Sequence, residues 1–182
     1  MKWFFRRVQR RVLEPGIKSH PLVEDEGVAV EGAPHVKVRV LLDPETGWPD
    51  TESEGLWALP LTNGLFRLEN TPFFAFALSN GNEISASPDD DGVLWVTGVV
   101  RRGGSLTVRI ITIDRTDSLE GVAAEFRAIG VAGQGFREAR LMAFDLRPDY
   151  DLPAIKKVLK AGVASGRWYY EEGDVDEVWQ AL

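Results

Sequence analysis

The chain has 182 residues, of which 44% are hydrophobic and 27% are charged, a balance typical of a globular protein rather than a disordered or fibrous one. It contains no cysteine, which excludes disulfides, thiolate nucleophiles and iron–sulfur clusters. The formal net charge is -7, so we do not expect the folded body to bind nucleic acid.

The N-terminal segment is basic, in contrast to the rest of the chain. Residues 1–13 contain five Lys or Arg side chains and no acid. Phe4, Val8 and Val12 recur at four-residue steps, which predicts an amphipathic helix. Such an arm is too short and too charged to span a bilayer, but it can lie on an anionic membrane surface, dock in a partner's groove, touch nucleic acid or pack on the protein's own surface. Residues 14–35 mix Pro, Gly and acids and are interpreted as a linker.

Residues 36–102 are predicted to form a small antiparallel β module, either a curved sheet or a partial barrel. Valine alternates with other residues from 36 to 40, as in a half-buried strand. Asn63-Gly64 lies between two apolar runs and indicates a hairpin, because this pair tolerates the positive φ angles of a tight turn. Further short strands are predicted for the apolar run 73–78 and for residues 84–86.

A long hairpin is predicted to join the β module to the rest of the chain. Residues 93–100 and 105–114 are rich in β-branched residues, which favours strands. Gly103-Gly104 lies between them, which is typical of a tight hairpin connection.

Residues 103–174 are predicted to form a ferredoxin-like βαββαβ sandwich, because residues 105–171 follow the order strand, helix, strand, strand, helix, strand. Residues 175–182 form a tail with one or two helical turns around Trp179. The predicted fold class is therefore α+β. Three lysines of the second helix are expected to face solvent: Lys156, Lys157 and Lys160.

No constellation in the sequence points to a metal, a cofactor or a catalytic relay. Both histidines, His20 and His35, lie in the predicted linker, so a histidine metal site or a Ser-His-Asp relay is not expected. Asp89-Asp90-Asp91-Gly92 lacks the ligand spacing of an EF-hand loop and is interpreted as a solvated turn. The glycines form no nucleotide-binding fingerprint, and no serine lies in a nucleophile elbow. We expect no cofactor, and the sequence favours a non-enzymatic protein while leaving catalysis open.

Four stretches of this sequence are similar to one bacterial family. They are Glu54 to Ala58, Gly64 to Phe74, Ile84 to Pro88, and the run formed by Gly166, Trp168, Tyr170 and Glu171. With these stretches, residues 36–174 resemble the uncharacterised domain-of-unknown-function family DUF4265. The resemblance implies a small bacterial cytoplasmic protein without an established activity. One position departs from the pattern expected of the family, because Asn82 follows Gly81 where an aspartate is expected.

The acidic balance favours an interaction protein that binds a macromolecular partner, most simply another protein. Opposite electrostatic potentials speed the encounter with a basic surface. Acidic immunity proteins and regulators of ribonucleases are analogies at the level of the fold alone. The candidate contacts are Asp89, Asp90, Glu171 and Glu172.

Two other functions stay open from the sequence. A small-molecule-binding or hydrolytic domain is expected to hold its pocket where the β module meets the sandwich, near Trp57, Asn70 and Arg109. A peripheral membrane protein is expected to use residues 1–13 as its anchor.

Overall fold

The computed structural model describes residues 27–43, 49–113 and 117–182. The predicted basic arm at residues 1–13 and most of the predicted linker lie outside these ranges. The strands in the described part are β1 Val36–Leu41, β2 Ser53–Pro60, β3 Phe66–Leu68, β4 Glu83–Pro88, β5 Leu94–Arg101, β6 Leu106–Thr112, β7 Gly133–Phe136, β8 Leu141–Leu146 and β9 Trp168–Asp174. The helices there are α1 Leu119–Ala128, α2 Leu152–Ala164 and α3 Glu177–Gln180.

The first five strands close into a barrel. Successive strands from β1 to β5 pair antiparallel, and β5 returns to β1 as a parallel pair. The closing pair is parallel because successive antiparallel strands alternate in direction and their number is odd. Alternate side chains fill the interior, which confirms the half-buried pattern predicted for β1. The buried core residues include Val38, Leu56, Ala58, Leu68 and Ile84.

The connection between β2 and β3 confirms the predicted hairpin, but its loop is longer than a two-residue turn. The Leu61 N–H donates to the Leu65 carbonyl at 2.8 Å, and the Gly64 N–H donates to the Leu61 carbonyl at 3.1 Å. Gly64 has a φ of +81°, the left-handed conformation that completes a three-residue hairpin loop. The glycine is therefore required for its conformation at this one position of the turn.

Strands β6 to β9 form a second sheet in the order β7-β8-β6-β9. All of its pairs are antiparallel. Helices α1 and α2 pack on one face of this sheet, where the Phe126 ring stacks on Phe144 with 4.3 Å between centroids and lies 6.3 Å from Trp168. The protein is thus mixed α and β, as predicted, with a closed barrel and a separate sheet.

The predicted long hairpin is wrong, because β5 and β6 belong to different sheets. Strand β5 pairs with β4 and β1, whereas β6 pairs with β8 and β9. A Cβ on Gly103 would lie 2.3 Å from the Gly81 carbonyl oxygen. The glycine therefore lets two connections cross closely rather than closing a tight turn. Residue composition identified both strands, but strand propensity carries no information on which strands pair.

The C-terminal tail is helical and buries the indole of Trp179, as α3. The expectation that Lys156 faces solvent is wrong. Its Nζ donates to the Trp179 carbonyl at 2.7 Å and lies 4.8 Å from the centroid of the indole ring. The tail covers this face of α2, which the period of the helix does not reveal.

Gly162 of α2 packs directly against an aromatic ring. A Cβ there would lie 1.8 Å from Cε2 of Trp168, whose side chain is fully buried. We expect Gly162→Ala to lower the free energy of unfolding in urea by about 2–3 kcal/mol, because overpacking a filled core forces the ring and the helix apart.

Gly121→Ala in α1 is the matched control, because Gly121 is exposed and an added Cβ would lie 3.3 Å from the Ser118 hydroxyl. We expect this variant to match or exceed the stability of the native chain, by up to about 1 kcal/mol, through the higher helix propensity of alanine. An equal decrease in the free energy of unfolding for Gly162→Ala and Gly121→Ala would contradict close packing of Gly162 against Trp168.

Candidate functional site

Residues 69–82, which connect β3 to β4, form an irregular loop between the barrel and the second sheet. The strand predicted for residues 73–78 is therefore wrong. Buried backbone N–H and C=O groups need partners, and here charged side chains supply them in place of a neighbouring strand. We refer to residues 69–82 as the bridging loop.

Glu54 binds the N–H groups of the bridging loop. It lies on β2 at a position that faces the barrel interior, and it is 8% exposed. Its carboxylate accepts hydrogen bonds from the N–H groups of Phe73 at 2.6 Å, Phe74 at 3.0 Å and Ala75 at 2.7 Å. Bonds to an ionised acceptor are roughly twice as strong as neutral ones, so Glu54 determines the path of the loop at the end of the barrel.

Arg109 of β6 binds the carbonyl groups of the same loop from the opposite side. Its guanidinium donates to the carbonyls of Pro72 and Phe74, each at 3.2 Å, and to the carbonyl of Ala75. It also pairs with the Glu171 carboxylate of β9 at 2.7 Å. The side chain of Arg109 is only 1% exposed, so these partners replace water almost completely.

Two neighbours complete the surroundings of the guanidinium. The Arg109 Cζ lies 4.9 Å from the centroid of the Phe76 ring, which is within the range of a cation–π contact. On β9, a Cβ added to Gly173 would lie 2.8 Å from a guanidinium nitrogen of Arg109. Glycine at this position therefore leaves the space that the arginine fills.

A polar cluster joins the far end of the bridging loop to the second sheet. The Ser79 hydroxyl donates to Asp174 at 2.7 Å and lies 3.0 Å from the Thr107 hydroxyl, which donates to the Leu78 carbonyl. Arg102 pairs with the other oxygen of Asp174 at 2.7 Å. Because Ser79 is fully buried and its hydroxyl is hydrogen-bonded within the cluster, the cluster links the bridging loop to β6 and β9.

An apolar cleft of about 260 Å³ opens beside the bridging loop, at the end of the barrel where β1 finishes. Its walls come from residues 40–43, Phe74 to Leu78 and Val96 to Val99, with Pro49 at one side. The polar side chains among the described lining residues are those of Asp43 and Thr97. Two large apolar side chains are exposed at this cleft, Leu41 at 71% and Phe76 at 42%. We refer to it as the barrel cleft.

A second, shallower cavity of about 230 Å³ lies between α1 and β7. Two arginines line it, but both already have partners in the protein. Arg137 pairs with Glu120, and Arg127 donates to the Ala123 carbonyl at 3.2 Å. The cavity therefore presents no prepared anion site.

Polar side chains are few at the barrel cleft. No group of three or more His, Asp or Glu side chains in those ranges is placed to hold a metal ion. The barrel cleft offers one carboxylate, Asp43, and one hydroxyl, Thr97, against walls that are otherwise apolar.

Asp89 and Asp90, two of the predicted partner contacts, are exposed in the turn between β4 and β5. Asp89 organises this turn. Its carboxylate accepts hydrogen bonds from the Trp95 indole at 2.7 Å, from the Val93 N–H at 2.8 Å and from the Asp91 N–H at 3.1 Å. Partner binding by Asp89 and Asp90 stays a prediction.

The hydrogen bond from the Trp95 indole, followed by that from the Val93 N–H, holds the pKa of Asp89 below its ordinary value. A carboxyl whose pKa is lowered by folding stabilises the folded state above the unfolded pKa, and this stabilisation is lost as the pH falls through the folded pKa. We expect Trp95→Phe to move the Asp89 pKa back toward the ordinary value, as measured by NMR titration of its carboxyl carbon. An Asp89 titration that is the same in both proteins would contradict this origin of the shift.

Glu171 and Glu172, the other two predicted contacts, point to opposite faces of β9, as consecutive strand residues must. Glu171 pairs with Arg109, as described above. Glu172 accepts from the Trp179 indole at 2.7 Å and lies 3.8 Å from the Lys156 Nζ. The structure therefore does not bring them together as one acidic rim, and partner binding by them stays a prediction.

Trp57, Asn70 and Arg109, the predicted ligand-binding residues, are not gathered into one pocket. Trp57 is half-exposed on the outside of the barrel, and the Lys37 Nζ lies 5.7 Å from its ring centroid. The Asn70 side chain accepts from the Trp57 backbone N–H at 2.7 Å. Arg109 is buried in the second sheet, and none of the three lines either cavity described above. Ligand binding by this group stays a prediction.

Sequence reasoning missed Glu54 and the barrel cleft. A signal for Glu54 was available, because it occupies an inward position of β2, in phase with Leu56 and Ala58, and a charged residue in that phase needs a specific partner. For the cleft no such signal exists, since Leu41 and Phe76 read as ordinary core residues until the fold leaves them exposed.

Comparisons with known proteins agree with this architecture. A crystal structure of a hypothetical protein from Neisseria gonorrhoeae has a TM-score of 0.65 to this chain at 17% identity, covering 79% of this chain and 97% of that one. At this identity the likeness concerns the fold alone. No curated protein matches the sequence. Within the described ranges, no helix is long and apolar enough to cross a membrane.

A family model matches residues 54–170. The match begins at Glu54, includes the bridging loop and Arg109, and ends one residue before Glu171. It covers more than half of the chain and agrees with the resemblance found in the sequence. The chain belongs to the family described as Domain of unknown function (DUF4265).

Proposed function

We propose that the protein is a non-enzymatic binding module, and that its barrel cleft receives an apolar anchor from a basic, amphipathic segment of a protein partner. The observation that carries this proposal is the exposure of Leu41 and Phe76 at the rim of a preformed apolar cleft. Partially exposed large side chains around a pocket are typical of sites that a partner covers.

The size of the barrel cleft favours a side-chain anchor over a free small molecule. Pockets for drug-sized ligands usually measure about 300–1,000 Å³ and carry several convergent polar groups. The barrel cleft is smaller, at about 260 Å³, and its described polar side chains are Asp43 and Thr97. A cleft of this volume with few polar groups is sufficient for one inserted aromatic or aliphatic side chain of a partner.

The charge around the cleft favours a basic segment. Asp43, Asp50 and Glu52 are exposed in the connection between β1 and β2, next to the cleft. Arg39 lies on β1, two residues before Leu41, and its guanidinium donates to the Ser53 hydroxyl at 2.9 Å. The chain has a formal charge of -7 although residues 1–13 contribute +5, so the remainder carries -12. Such a field attracts basic segments and repels nucleic acid.

The proposal is tested with a synthetic amphipathic helix of lysine and leucine that carries one phenylalanine, using the full chain and fluorescence anisotropy. We expect binding that weakens as salt is raised, and about tenfold weaker binding to Leu41→Ser, because a central apolar anchor contact is lost. Val163→Ser is the matched control, since Val163 is an exposed valine on α2, and it should bind the probe as the native chain does.

The same peptide with glutamate in place of lysine tests the charge requirement. Equal binding of the two peptides, or equal binding of the lysine peptide to Leu41→Ser and Val163→Ser, would overturn the proposal.

We also infer that the second sheet and its helices form a ferredoxin-like unit. The order of the elements, with α1 after β6 and α2 after β8, and the strand order β7-β8-β6-β9 support this class. In this arrangement one face of the sheet is covered by helices, and the bridging loop contacts the other.

A further inference from the structure

We propose that residues 1–13 of the same chain occupy the barrel cleft and are displaced when a partner binds. This inference rests on the proposed function, because it names one occupant of the same cleft. It makes the N-terminal arm an internal competitor for the site.

The chemistry of residues 1–13 matches what the cleft requires. The segment contains five basic side chains and no acid, together with the aromatic anchors Trp3, Phe4 and Phe5. The exposed acids Asp43, Asp50 and Glu52 lie on the connection that borders the cleft. An aromatic anchor flanked by cations is the complement of an apolar cleft flanked by carboxylates.

The chain length allows the arm to reach the cleft. The described part of the chain begins at Gly27, beside the turn between β2 and β3. There Ala29 forms an isolated antiparallel β-bridge with Leu61, and the Val28 N–H donates to the Thr62 hydroxyl at 3.2 Å. This is the end of the barrel where β1 begins, and the cleft lies one strand length away, about 20 Å. Residues 14–26 span up to about 43 Å when fully extended.

Covalent attachment also favours residues 1–13 over a separate peptide as the occupant of the cleft. A segment attached within such a distance typically reaches an effective concentration on the order of 1 mM. An association with a dissociation constant of about 0.1 mM between separate molecules is then about nine-tenths formed within one chain.

The absence of native cysteine makes disulfide trapping a clean test in the full chain. Gln9→Cys places a thiol in the arm without removing an anchor, and Leu41→Cys places one at the mouth of the cleft, where the side chain is 71% exposed. With oxidised glutathione as the oxidant, we expect an intramolecular disulfide, seen as a reducible shift of the monomer on a gel, at least about tenfold faster than in Gln9→Cys with Val163→Cys.

Two results of this experiment would overturn the inference. Equal rates for the two pairs would show that the arm does not favour the cleft. Disulfide-linked dimers as the main product would assign the cleft to the arm of a second copy.

A second experiment separates failure of this inference from failure of the proposed function. The double variant Phe4→Ser, Phe5→Ser removes two anchors without changing the net charge. It should bind the lysine–leucine probe about tenfold more tightly, as expected when a competitor that fills the site nine-tenths of the time is removed. Unchanged probe affinity would overturn arm occupancy and leave the cleft as a binding site. Absence of probe binding to both proteins would overturn the inference together with the proposed function.

Discussion

Arg109→Met is expected to lower the free energy of unfolding by about 3–5 kcal/mol, because it removes one partner of a buried ion pair. The Glu171 carboxylate would lose its cation, and the carbonyls of Pro72, Phe74 and Ala75 would lose their donor. Equilibrium urea unfolding measures this loss. It is a large part of the total for a single domain, which is typically about 5–15 kcal/mol.

Arg137 is the matched control for Arg109, because it also pairs with a carboxylate but is exposed. Arg137 pairs with Glu120, and their side chains are 81% and 63% exposed. We expect Arg137→Met to change stability by about 0.5 kcal/mol or less, because exposed ion pairs are screened by solvent and salt. A similar decrease in the free energy of unfolding for both variants would show that burial of Arg109 does not determine how much its contacts stabilise the fold.

Glu54→Gln is expected to lower the free energy of unfolding by about 2–4 kcal/mol. The new side chain keeps the shape of glutamate but loses its charge, and its amide presents N–H donors where two acceptor oxygens received the N–H groups of Phe73, Phe74 and Ala75. Leaving a buried N–H without an acceptor costs about 1–3 kcal/mol. Urea unfolding again provides the measurement.

Glu52→Gln provides the comparison for Glu54, since Glu52 lies two residues earlier and is exposed. We expect this variant to be as stable as the native chain within about 0.5 kcal/mol. Glu54→Gln is also expected to weaken binding of the lysine–leucine probe, because Glu54 positions Phe74 and Ala75, which line the barrel cleft. A Glu54→Gln protein with native stability would contradict the role given to this carboxylate.

The barrel strands and the helices were predictable from the sequence because their signals are local. The valine alternation of β1 shows which residues face inward, and Gly64 has the conformation that a hairpin loop requires. Local signals identified β5 and β6 as strands but wrongly paired them with each other, since β5 pairs with β4 and β1, and β6 pairs with β8 and β9. Barrel closure depends on the pairing of Val38 with Leu94, and no short-range pattern encodes a contact at that separation.

The candidate site was harder to predict for the same reason. Arg109 attracted attention as a charged residue within an apolar strand, but its partners in the bridging loop are 34 to 37 positions away. The run 73–78 has the composition of a strand and is irregular, because Glu54 and Arg109 take the place of strand partners. The barrel cleft, with exposed Leu41 and Phe76, can be recognised only once the whole fold is assembled.

The bridging loop is held by Glu54 of the barrel and by Arg109 of the second sheet. This arrangement limits when the loop can fold during synthesis of the chain. The barrel strands leave the ribosome before Arg109, and well before Glu171, because synthesis proceeds from the N-terminus. Until β6 and β9 are available, the carbonyls of Pro72, Phe74 and Ala75 and the N–H of Ala77 must remain with water, because Arg109 and the Gly173 carbonyl are their partners. The nascent barrel is therefore expected to complete its end, and with it the barrel cleft, only after β9 has emerged.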